Sequence, residues 1–341
     1  MNLCCIGVIV YDVGDYFSVK WGKSDQTLHL LKNISFYAFA ISYPLISLCS
    51  KLRSVLVENV PFLAWASTLN ARYLIKRAQY LGLPEKGLPG KLFLFLCSVL
   101  PLLVTFYRAF IYLYISECPF TSQETFRIVR DVYFLETLGC FVYIIYLIRI
   151  SFQHQFSLLL SYIKEEEGHL DKCRGALFNV TTDFSCFKQF CSNYLLCTIP
   201  MAVLAISSSV AWQYTVNSTC SSASNERVLD VENNICRYVW LVFLLYLAVL
   251  TFAIGGLSTE HIWDNFYDDV LQLQSESHCE FWDSFVHQLS LLYKTKDNLT
   301  VTLFFSVLSC FTALQLGDQD VSFLANACNE TFVNITSHYC F

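Results

Sequence analysis

Apolar residues gather into long runs separated by polar stretches, and seven of these runs approach about twenty residues: 30–49, 55–73, 92–115, 132–150, 190–212, 238–256 and 299–316. A helix of that length rises far enough to cross the ~30 Å hydrocarbon layer of a bilayer, and it satisfies its own backbone polar groups on the way. The pattern predicts an all-α polytopic membrane protein with seven transmembrane helices. The first two runs are the least apolar, since 30–49 is interrupted by Ser42, Pro44 and Ser47 and 55–73 holds Glu58, Asn59 and Pro61. A re-entrant pair or a single span is the alternative there, and loss of just one helix would invert everything after it.

The connections are uneven. Two long ones, 151–189 and 257–298, carry helical periodicity of their own. Residues 157–163 continue the fourth helix beyond the apolar run. Ile262, Phe266, Val270 and Leu273 then recur at helical spacing, as do Phe281, Phe285, Leu289 and Leu292. These stretches predict a helical layer beneath the membrane bundle. Glu165, Glu166, Glu167 and Gly168 read as its solvated turn, because an acidic run is usually a wet surface. The chain thus divides into an N-terminal segment 1–29, a membrane domain 30–316 that includes the helical layer, and a tail 317–341.

Two independent signals orient the bundle. If the N-terminus is cytosolic, fifteen of the 22 Lys and Arg lie on the inner side. Six (Lys51, Arg53, Arg127, Arg130, Arg227 and Arg237) lie outside and Arg108 is inside a helix, which is the cytosolic excess of positive charge that membrane proteins show. The tail carries sequons at Asn329 and Asn334 together with Cys328 and Cys340, chemistry of the extracellular side. Seven helices with N inside put C outside, in agreement, and a plasma-membrane location is expected. Residues 1–10 lack the basic start of a signal peptide, so the first helix is expected to direct insertion.

Composition fits a protein solvated by lipid: 55% of residues are hydrophobic, 15% are charged and the mean hydropathy is +0.46. There is no basic patch for nucleic acid. Sixteen cysteines are many, yet none has zinc-ligand spacing, and most read as apolar filler. Cys220 and Cys236, in the loop that also holds the Asn217 sequon, join Cys328 and Cys340 as disulfide candidates, with Cys118 a fifth and connectivity open. No GxSxG, HExxH, phosphate-binding or dinucleotide-binding loop occurs, and His261, His278 and His287 have no placed nucleophile, so neither an enzyme nor a cofactor or metal is expected.

Two features carry candidate function. In the seventh run, Thr302, Ser306, Ser309, Thr312 and Gln315 recur every three or four residues, followed by Asp318 and Asp320. Such a slowly winding stripe suits a water-filled path or a close-packed helix contact equally, and the acids at its outer end would attract cations. The other feature is Arg108 in the third run and Glu136 in the fourth, both roughly 7 to 11 Å below the outer boundary at 1.5 Å rise per residue. Intramembrane charges usually face protein or water, so these two can pair and mark a pocket, or Arg108 can snorkel outward. Tyr107, Tyr112, Tyr133, Phe134, Trp212 and Trp240 add aromatic surface at that level, as pocket walls or interface anchors.

Seven helices with N inside and C outside, long inner connections before the fifth and seventh spans, an amphipathic helix feeding the seventh, and Gln315 near its outer end together resemble the insect gustatory and odorant receptor superfamily. The likeness is greatest to gustatory receptor-like members in other animals and covers about 30–316, mostly as architecture. In gustatory receptors the last helix carries Thr-Tyr, a short apolar run and Gln-Phe. Here Gln315-Leu316 matches the end, and Leu308-Ser309 stands where Thr-Tyr is expected. The resemblance implies a chemoreceptor that acts as a homotetrameric or heterotetrameric ligand-gated cation channel, with seventh helices around the pore. It also implies inner helices joining the subunits and a small-molecule pocket in the outer half. Gln315 would then line the pore, with Leu308, Phe311, Thr312 and Leu316 near the gate and Asp318 at its mouth. A seven-helix receptor or transporter-like protein without channel activity is the alternative. Of these, a G-protein-coupled receptor demands the opposite orientation, and a transporter needs repeats or broken helices that the chain does not display.

The topology makes a direct prediction. Of the sequons at Asn33, Asn179, Asn217, Asn298, Asn329 and Asn334, only Asn217, Asn329 and Asn334 should carry glycans. Single Asn→Gln replacements read by endoglycosidase-sensitive mobility check this, and a glycan on Asn179 or Asn298 would overturn the orientation.

Overall fold

The computed structural model describes residues 88–111, 122–166, 169–220, 226–256, 259–277, 280–292 and 299–319. The expected spans 30–49 and 55–73, the segment 1–29 and the tail from 320 onward, with Cys328, Cys340, Asn329 and Asn334, lie outside the described residues. Those residues form helices and no strand: α1 Leu88–Phe110, α2 Ser122–Glu165, α3 Leu170–Cys220, α4 Glu226–Ile254, α5 Glu260–Ser277, α6 Glu280–Leu292 and α7 Leu299–Gln319.

Three stretches are long and apolar enough to cross a membrane: Gly90–Phe110 in α1, Tyr194–Tyr214 in α3 and Asn233–Ile254 in α4. They coincide with the third, fifth and sixth apolar runs. The fourth run, 132–150, lies inside α2, and Thr302–Ala313 of α7 is a shorter apolar helix. The helices run further than the apolar pattern does. α2 has 44 residues and α3 has 51, about 65 and 75 Å at 1.5 Å per residue, roughly twice a hydrocarbon layer. Polar residues 122–131 belong to α2 because a helix backbone satisfies itself in water as well as in lipid, whereas hydropathy marks only the lipid-compatible part.

α1 and α2 pack together, α4 packs against both, and α3 lies between α4 and α7. The α1–α2 crossing depends on two residues with missing groups. Pro101, inside α1, has no N–H to return to the carbonyl of Cys97. On the facing helix Gly139 has no Cβ, and one placed there would fall on that same carbonyl oxygen. The two backbones therefore approach as closely as small residues allow in membrane helix pairs. Beside the crossing is an apolar cavity of about 50 Å³, lined by Leu100, Pro101, Val104, Leu138, Val242 and Val249. It is well below the ~300 Å³ of a small-molecule pocket.

Beyond the apolar part, α5 and α6 form the expected helical layer on the extended halves of α2 and α3. Ile262, Phe266 and Val270 of α5 and Phe285 and Leu289 of α6 are buried, as their spacing requires. The same layer buries Trp263 and Trp282, which the periodicity omits. Phe156 meets Phe184, Trp263 and Phe266 with ring centroids 5.3, 6.0 and 4.9 Å apart, so aromatic contacts knit α2, α3 and α5. At the α2–α3 turn Lys172 Nζ donates to Glu166 Oε2 at 3.0 Å, and that bond and charge raise the Lys172 pKa. The pair sits at the surface and adds little stability. Next to it burial pushes the Cys173 thiol up, which makes it a poor nucleophile.

Gly139→Leu should destabilise the purified protein by about 1 to 3 kcal/mol, since the atom in the way is backbone and cannot swing aside. Gly175→Ala, with nothing near its Cβ position, should be neutral or stabilising. Thermal unfolding in detergent compares the two, and an unperturbed Gly139→Leu variant would contradict the close crossing.

Candidate functional site

One group of polar residues gathers near the C-terminal end of α1. Arg108 Nη1 forms an ion pair with Asp131 Oδ2 of α2, and its guanidinium carbon lies 5.8 Å from the centroid of the Tyr238 ring of α4. Tyr238 directs its hydroxyl to the same Asp131 oxygen at 3.5 Å, a long contact. One position back on α1, Tyr107 Oη donates to Asn234 Oδ1 at 3.1 Å, while Asn234 Nδ2 donates to Asp230 O at 2.7 Å. Asp131 is 2% exposed, so its charge is compensated by Arg108 rather than by water. Three helices are tied together here by two side chains of α1.

Arg108 thus does not pair with Glu136, as sequence depth alone suggests. Glu136 lies five residues further along α2, about 7.5 Å deeper and well round the helix, where it is half-buried. Asp131 stood just outside the apolar run, and only the extended α2 makes it available. Of the aromatic candidates, Trp212 is buried on α3 and Trp240 half-buried on α4. Tyr112 lies outside the described residues, and Tyr133 is described only as part of the α2 backbone. Cys236 is buried on α4 and Cys220 ends α3. Asn217 is exposed on α3 and accepts from Asn233 Nδ2 at 2.9 Å through Oδ1, the atom that glycosylation leaves alone. Among the described residues no three His, Cys, Asp or Glu come together as a metal site requires.

The stripe of α7 divides between two faces. Thr302 and Ser306, with Ala313, are buried as α7 packs along α3. These are small side chains that allow near approach, and Ser306 returns its hydroxyl to Thr302 O at 2.7 Å. Thr312 is exposed and bonds to Leu308 O at 2.9 Å. Leu308 and Phe311 are exposed too, at 50% and 59%. The helix continues through Gln315, Leu316 and Asp318, of which only the backbone is described. Gln315 falls seven residues after Leu308, and Asp318 seven after Phe311, about two turns in each case and so in matching register. The lower part of the stripe is therefore a packing face, and the upper part turns away from α3.

Removing either partner of the Arg108–Asp131 pair should cost about 3 to 5 kcal/mol, because the other charge stays buried. Arg108→Gln and Asp131→Asn should each lower thermal stability or surface expression strongly, the charge swap should restore part of it, and Glu136→Gln should do little. A double-mutant cycle in which the Arg108 and Asp131 effects simply add would sink the pair.

No family model, curated protein or solved structure matches the chain, so its function has to be argued from its own residues and geometry.

Proposed function

We propose that this chain is a gustatory receptor-like subunit of a ligand-gated cation channel in the plasma membrane, with seven spans, N inside and C outside, and a pore lined by the outer part of α7. The observation that carries the reading is the division of α7. Its buried residues engage α3, and Leu308, Phe311 and Thr312 are exposed, with Leu308 and Phe311 in register with Gln315 and Asp318. In a tetramer, homomeric or heteromeric, that face would meet its copies around an axis. Leu308, Phe311, Thr312 and Leu316 would form the constriction, Gln315 a polar ring, and Asp318 an acidic mouth that concentrates cations. The α5–α6 layer would join subunits in the cytosol. The ligand pocket would be built around the Arg108 cluster, with Tyr112, Tyr133, Glu136, Trp212 and Trp240 as the sequence candidates for its polar and aromatic walls.

One observation favours a second reading. Leu303, Phe304, Phe305 and Val307 are exposed beside Leu308 and Phe311, a surface that lipid would cover equally well. On that reading the protein is a seven-helix receptor or transporter-like protein without conduction.

Bilayer recordings of purified protein, with agonist, separate the two. Asp318→Lys should reduce single-channel cation conductance more at low than at high salt, because exposed charges are screened over about 8 Å at physiological ionic strength. Gln315→Ala should alter relative permeability or block. Wild-type conductance and selectivity in both variants would remove α7 from the pore and leave the lipid-covered reading.

A further inference from the structure

A second polar group gathers at the opposite end of the bundle from Arg108. α4 stops in two glycines with positive φ, Gly255 at +90° and Gly256 at +129°, whose N–H groups both donate to Thr251 O at 2.9 and 2.8 Å. This is the left-handed stop that glycine permits. Arg149 of α2 reaches across it, donating Nη1 to Phe252 O at 3.1 Å with its guanidinium carbon 5.3 Å from the centre of the Tyr146 ring. Its Nε is buried without a partner. A Cβ on Gly255 would stand 2.5 Å from Arg149 Nη1 and 2.9 Å from His261 Nε2, so the absent side chain lets the guanidinium and the first turn of α5 close on one place.

That turn begins at Thr259, the residue before α5, which is 2% exposed. An N-cap hydroxyl ordinarily accepts an N–H of its own helix. Here Thr259 Oγ1 is buried without a partner, and it is the Thr259 carbonyl that accepts from Ile262 N at 3.2 Å. Lys188 of α3, nearly buried, is matched by Glu260 at 2.5 Å, and Asp264 is exposed one turn along α5. Phe252 O at the end of α4 is covered by Arg149. Among the described residues Arg149 has no carboxylate partner.

We propose that Arg149, Thr259 and the first turn of α5 form a binding site for a phosphate group at the cytosolic membrane surface. A guanidinium pairs with phosphate through several N–H groups, a helix N-terminus adds backbone N–H donors and the positive end of its dipole, and a hydroxyl can donate as well. Basic pockets between membrane helices on the cytosolic side take anionic lipid headgroups in this way. The phosphate is either that of a phosphorylated inositol lipid or free inorganic phosphate, since both present the same oxygens. Its cytosolic location rests on the proposed orientation, and glycan mapping tests that orientation separately, so the two failures are distinguishable.

The full chain is reconstituted in phosphatidylcholine nanodiscs with and without phosphatidylinositol bisphosphate, and titrated in detergent with inorganic phosphate, while thermal stability and native mass spectra report binding. Saturable binding is expected. Stabilisation by the lipid alone assigns the headgroup, and stabilisation by both assigns phosphate itself. Arg149→Gln and Thr259→Val should each weaken binding roughly tenfold or more, the loss of a hydrogen bond to a charged group, and Thr259→Ser should retain it. Arg149→Gln also removes the cap on α4, whereas Thr259→Val leaves it in place, so the threonine pair decides the matter if the arginine variant does not fold. Absence of saturable binding to either probe, or binding undiminished in Thr259→Val, would overturn the site.

Discussion

Helices as apolar as α1, α3 and α4 cannot be held in one arrangement by apolar burial alone if lipid surrounds them, because a leucine gains little by leaving one hydrocarbon for another. What selects an arrangement is close backbone approach and the few polar groups that must find each other. The bundle shows both. Gly139 lies against the carbonyl of Cys97, Thr302, Ser306 and Ala313 bring α7 onto α3, and Tyr194 and Tyr246 share a buried hydroxyl contact of 2.5 Å between α3 and α4. The Arg108–Asp131 pair adds a charge constraint between α1 and α2. Each of these fixes rotation as well as distance, which a smooth leucine surface does not.

The two ends of the bundle are built on different physics. At the Arg149 end, α2 and α3 continue well past any hydrocarbon layer, and the α5–α6 layer is held by ordinary burial of aromatic rings in a setting where that burial is favourable. At the Arg108 end there is little such layer among the described residues, and polar side chains do the joining. A ligand or partner that changed the Arg108 end would act on charge and hydrogen bonding. One that bound at the Arg149 end would act on the stop of α4 and the start of α5, where Gly255, Arg149 and His261 come together.

α7 follows α5 and α6 in the chain and lies along the long α3. Its small residues are committed to α3, so a change in the rotation of α7 would have to break those contacts first. Movement of α7 with α3 as a unit is the less costly course, and on the proposed channel reading that unit is what gating would displace.

The sequence by itself determined the helical class, three of the stretches long and apolar enough for a membrane, and the buried faces of α5 and α6, because each depends on spacing along one helix. Arg108 was legible as a charge needing a partner. That the partner is Asp131 was decided by the tertiary structure, since pairing depends on the depth and rotation at which α2 meets α1, and Asp131 lies outside the apolar run that marked the span. The stripe on α7 was legible as a spacing, but not that Thr302 and Ser306 face α3 while Thr312 turns away. Trp263 shows the same limit on α5. It sits one position beside the periodic face, and Phe156 of another helix packs against it.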